Sequence, residues 1–106
     1  MSAFAKNFFK CTTLYKNGGG YMETERALLA KVVGEYLVSL RKDKNIRQEE
    51  LARLSGIEQR SLRRIELGVV SVTFFSLRRL LKTLDEDWTE FWDKVDKNME
   101  LRMKDR

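Results

Sequence analysis

Between Gln48 and Gly68 two short stretches with helical apolar spacing meet across a single glycine, Gly56. The first, about Gln48 to Ser55, carries Leu51, Ala52 and Leu54; the second, about Gln59 to Leu67, carries Leu62 and Ile65. Two short helices pack at a steep angle only if the contact residue is small and the turn is tight. Ala52 meets the first condition, and Gly56, free to take positive φ, meets the second. Ile57, Leu62 and Ile65 anchor the second helix on a core, and Gly68 is placed to cap its C-terminus.

The surrounding chain reads as helix too. Leu29, Val33, Tyr36, Leu37 and Leu40 form one stripe, predicting a first helix over roughly 24–43 that Lys44-Asn45 ends. The spacing of Leu77, Leu80, Leu81 and Leu84 predicts a helix over Ser76–Leu84, and Trp88, Phe91, Trp92, Val95, Met99 and Met103 mark a last amphipathic helix within 87–104. Trp88, Phe91 and Trp92 read as core and interface. Val95, Met99 and Met103 exceed what a minimal core needs, so this end either frays or packs on a second copy, which makes 87–104 the candidate dimerisation helix. Val69–Phe75 is β-branched and aromatic enough to suggest a strand, but no alternation of useful length supports one.

Residues 1–21 have a different texture and read as a flexible extension of a domain over 22–106. Gly18-Gly19-Gly20 leaves two readings open: a Gly-rich linker, or a purine-rich ribosome-binding sequence ahead of a translation start at Met22.

Charge and composition narrow the function. The chain has no histidine and one cysteine, Cys11, so the usual zinc ligand sets and His-dependent acid–base chemistry are missing. No phosphate loop or nucleophile elbow is present, and nothing in the sequence supports an enzyme. No apolar stretch approaches the ~20 residues of a membrane span, so the expectation is a cytoplasmic protein without membrane contact. The net charge is +5, but residues 41–84 alone carry +6, between +2 before them and −3 after. Such a patch faces phosphate or simply solvent.

The second helix of the central pair favours phosphate and bases. Opposite Leu62 and Ile65 it turns Gln59, Arg60, Arg63 and Arg64 outward. Glutamine pairs bidentately with adenine N6/N7 and arginine with guanine O6/N7, in a major groove that admits one helix. Residues at the N-terminal end of such a helix reach base edges first. Gln59, Arg60 and Arg63 are therefore the candidate base contacts, and Arg64 can meet a base or a phosphate. Gln48 sits at the preceding helix's N-terminus, where free N–H groups attract phosphate. Lys42, Lys44 and Arg47 add non-specific attraction.

From Leu40 to about Phe91 the chain resembles the Cro/repressor (XRE-type, lambda-repressor-like) helix-turn-helix family of phage and bacterial regulators. The matching residues are Leu40-Arg41, Gln48-Glu49-Glu50-Leu51-Ala52, Gly56-Ile57, Ser61-Leu62, Ile65-Glu66-Leu67-Gly68, then Leu77, Leu80-Leu81 and Leu84. The resemblance implies an all-α, compact five-helix domain with extended first and last helices. It implies that Gln48 touches phosphate and buttresses the recognition helix, that Gln59 and Arg60 read bases with Arg63 and Arg64 adding contacts, and that Arg41 and Glu66 form a structural ion pair. Two departures stand out. Arg47 replaces the usual Ser or Thr cap of the second helix, and the polar loop ending in proline is here Val69-Val70-Ser71-Val72-Thr73.

The expected function is sequence-specific binding of double-stranded DNA by a transcription regulator, a repressor acting as a homodimer without cofactor or metal. The alternatives are an antitoxin that holds a toxin with a second surface, or a protein–protein adaptor on the same scaffold. Either adds a protein partner, such as a toxin or an anti-repressor.

Overall fold

The computed structural model describes residues 19–104, with side chains from Thr24 onward. The described residues form five helices: α1 (Gly19–Asp43), α2 (Gln48–Ser55), α3 (Gln59–Leu67), α4 (Phe74–Thr83) and α5 (Trp88–Lys104). No described helix is long and apolar enough to cross a membrane, and Cys11 and the rest of residues 1–18 lie outside the described residues. α1 starts five residues ahead of its predicted start, so Gly19, Gly20 and Tyr21, read above as extension, are helical.

Each boundary has a local cause. Asn45, with φ of 58°, ends α1, and Asp85, with φ of 55°, follows α4; their short polar side chains tolerate this left-handed backbone better than most. α4 begins two residues before the predicted Ser76. Thr73 caps it, its hydroxyl oxygen accepting from the Ser76 N–H at 3.1 Å, and this hydroxyl is the start signal that the strand-like texture of Val69–Phe75 hides. The loop 69–73 is not extended pairing but a connector, with Val70 and Val72 half-buried on the core.

One core joins all five helices. Val32, Val33 and Leu37 of α1 meet Leu51 and Ala52 of α2, Leu62 and Ile65 of α3, Leu77, Leu80 and Leu81 of α4, and Phe91, Val95 and Met99 of α5. α3 and α5 both lie on α1, while α2 packs between α3 and α4. The inner face of α2 is Leu51, Ala52 and Ser55; Leu54, expected inside, is turned halfway out. Ser55 is admitted to the core because its hydroxyl donates to the Leu51 carbonyl at 2.7 Å, which removes the penalty of an unmatched buried group.

The far end of α5 neither frays nor waits for a partner. Val95 and Met99 are buried against the chain's own core, with Met103 partly buried beside them, and Arg102 reaches Glu35 of α1 at 2.7 Å. That stripe is covered within the monomer. The extended α1 supplies the cover, and its length was not deducible from α5.

Candidate nucleic-acid interface

α3 hangs from the core by two apolar residues and is positioned by polar ones. Leu62 is fully buried and Ile65 nearly so, while Gln59, Arg60, Ser61, Arg63 and Arg64 are exposed. Gly56 ends α2 in the left-handed region, with φ of 74°, and its N–H returns to the Ala52 carbonyl. The chain therefore reverses within three residues, and α3 starts at once from Glu58, which offers no side-chain cap. Gly68 closes α3 in the same conformation, φ 75°, its N–H shared between the Arg64 and Ile65 carbonyls.

The C-terminal end of α3 is clamped from two directions. Glu66 accepts from Arg41 Nε at 2.9 Å and Nη2 at 3.1 Å, and from Gln48 Nε2 at 2.9 Å. Arg41 also donates through Nη1 to the Ile46 carbonyl at 3.0 Å, so one guanidinium fixes α1, the α1–α2 turn and α3 together. The pair is shielded, with side-chain exposures of 14% for Arg41 and 5% for Glu66. Planar bidentate geometry of this kind fixes orientation as well as distance.

Backbone contact completes the clamp. A Cβ at Gly34 of α1 would stand 2.6 Å from the Ile65 carbonyl oxygen and 2.8 Å from that of Glu66, and a Cβ at Gly68 would stand 2.7 Å from the Lys31 Cα. α1 and α3 thus cross with no room for a side chain. Sequence reasoning passed over Gly34, although a lone glycine inside a helical pattern is the usual sign of such an approach.

Arg79 was also passed over. From α4 it donates through Nε to the Ser55 carbonyl at the end of α2, with its guanidinium 5.5 Å from the centroid of Phe75 one turn earlier. It braces the α2–α3 turn and is not a free cation. The four-residue spacing of Phe75 and Arg79 was the available signal.

Lys42, Lys44 and Arg47 are exposed beside the N-terminus of α2, and Gln48 there is half-buried. Arg47 stands at the N-cap with extended backbone and makes no side-chain cap bond, so the first N–H groups of α2 have no side-chain acceptor. Gln48 spends one N–H on Glu66; its amide nitrogen carries a second donor. The eight sequence-predicted contact residues therefore divide in place: Gln59, Arg60, Arg63 and Arg64 along the outer face of α3, and Lys42, Lys44, Arg47 and Gln48 around the start of α2.

One family model, helix-turn-helix, matches residues 37–91, slightly more than half the chain and the span that contains the α2–α3 pair with its glycine turn. The chain belongs to the XRE-type helix-turn-helix family. Among solved structures it is similar to the clp gene regulator ClgR from Corynebacterium glutamicum, with 25% identity and a TM-score of 0.66 over 73% of this chain and 82% of that one. No curated protein matches. Within the matched span, α2 and α3 are the two helices joined by the glycine turn.

Proposed function

We propose that this protein is a sequence-specific double-stranded-DNA-binding transcription regulator, acting in the cytoplasm as a repressor, with α3 in the major groove. The observation that carries the reading is the outer face of α3: Gln59, Arg60, Arg63 and Arg64 are all exposed on a helix whose other face is fully used by the core. Gln59, Arg60 and Arg63 read base edges; Arg64, further along, takes a base or a phosphate. Lys42, Lys44, Arg47 and Gln48, with the open N–H groups of α2, hold the backbone. The Arg41–Glu66 pair is structural and keeps α3 at its angle. ClgR is by its description a gene regulator, which supports the same reading.

A nine-residue helix is roughly 13 Å long and faces about four base pairs. So short a word recurs throughout a genome, and specificity then requires a second half-site, which argues for a homodimer. Selection of bound sequences from a random duplex pool tests the proposal. We expect an enriched motif with two-fold symmetry, rich in guanine and adenine at the α3 positions; a pool that stays unenriched would end it.

A further inference from the structure

Behind α3 the core leaves a hollow. It has a volume of about 190 Å³ and lies where α1, the end of α3, the 69–73 loop, α4 and α5 come together, walled by Val33, Ile65, Val70, Val72, Leu77 and Trp92 among others. Protein interiors hold few voids larger than a water molecule, so a space of this size calls for an occupant. No charged side chain of the described residues lines it, and Ser71 is the only polar one.

Size and chemistry together define what fits. A buried water needs two to four polar partners, and an apolar cavity of about 150 Å³ stays dry and takes up benzene. Drug-sized ligands occupy about 300 Å³ or more. The hollow behind α3 falls between these, which suits an uncharged molecule built on one aromatic ring with a short substituent. The loop provides the way in. Val70 and Val72 are half-buried, while Ser71 between them is exposed and still lines the hollow, so the space reaches the surface here. This is the segment whose apolar composition departs from the usual polar run, and the DNA-facing surface gives that departure no use.

The hollow also touches the joint that carries α3. Ile65 is one of the two apolar residues that anchor α3, and Val33 precedes Gly34, where α1 passes the Ile65 and Glu66 carbonyls with no room for a side chain. A molecule held between Val33 and Ile65 rests on both sides of that crossing. We propose that this hollow is a binding site for a small uncharged aromatic molecule, and that its occupant braces α3 against α1 and so tightens binding to DNA. The second half rests on the DNA-binding reading; the first does not.

Toluene and benzoate, one ring without and with a charge, are the probes. On the full chain toluene should raise the thermal midpoint saturably, and benzoate should not. In a Trp88→Phe chain Trp92 is the only indole, and iodobenzene should quench its emission in a way that toluene reverses. Ala30→Leu enlarges a side chain of the wall and should abolish both responses, whereas Val72→Ala widens the hollow and should admit naphthalene, which wild type refuses. Saturating toluene should tighten wild type on its selected duplex by about fivefold or more, the lower end of ordinary coupling between sites, and leave Ala30→Leu unchanged. Absence of a saturable toluene response in wild type, or an equal response to benzoate or from a folded Ala30→Leu chain, overturns the site. Should Ala30→Leu not fold, Val72→Ala decides alone, and its failure to take up naphthalene overturns the site. Loss of iodobenzene quenching on raising the protein concentration alone would give the hollow to a second copy and overturn it too. If toluene binds and no duplex motif is ever enriched, the site stands and the DNA reading falls; if a motif emerges and toluene does not bind, only the site falls.

Discussion

Arg60 and Arg63 contribute nothing to the fold, since both side chains are exposed and neither helps to hold α3 in place. Replacing either by alanine should leave the folded state intact and relax preference at one base position by about 1–3 kcal/mol. Competition binding against single-base operator variants measures this, and equal discrimination by wild type and an Arg60/Arg63 double mutant would contradict it. Lys42 differs in kind. Lys42→Ala should weaken all duplexes alike and lower the slope of log K against log salt by about one, as a salt titration on any duplex would show. Arg41 lies at the opposite extreme. Its loss leaves the Glu66 carboxylate almost buried with only Gln48 to meet it, so Arg41→Ala should cost about 3 kcal/mol, read as a lower urea midpoint at constant m. This partnership was legible, since residues 25 apart in sequence could be matched through the resemblance. Arg79 was not legible in the same way: its partner is a main-chain carbonyl, and any residue supplies one of those.

At the scale of the helix, propensity and packing disagree about Gly34. In an exposed helix interior, alanine is better than glycine by about 1 kcal/mol. Here the added methyl would stand 2.6 Å from a backbone carbonyl oxygen, and a helix cannot move that atom without moving α3. Gly34→Ala should therefore lose about 1–3 kcal/mol net and weaken specific DNA binding with it; a higher thermal midpoint than wild type would refute the crossing geometry. The start of α2 offers the converse case. Arg47 has the extended backbone of an N-cap but no acceptor to give, so Arg47→Ser should add about 0.5–1 kcal/mol of stability, measured by urea unfolding, while removing one cation from the proposed phosphate contacts. The start and end of α2 and α3 could be read from Gly56, Gly68 and the apolar spacing because those causes lie within a few residues. The start of α4 was misplaced because one threonine hydroxyl outweighs a β-branched run.

For the whole molecule, what matters is which apolar surface remains after the chain has covered itself. α1 runs the length of the domain and takes up both α3 and the last turns of α5, so the Val95–Met103 stripe has no face left for a second chain. Phe74 and Phe75 of α4 and Trp88 of α5 have no such cover and stay exposed.

Periodicity, small residues at contacts and glycines at turns are local properties, and the five helices, the tight α2–α3 pair and the outward Gln59–Arg64 face follow from them alone. The tertiary structure alone decided which apolar stripe would be covered, how closely α1 approaches α3 at Gly34, and that Arg79 serves the α2–α3 turn. These depend on distances between segments far apart in the chain, and such distances are set by the packing of the whole core at once.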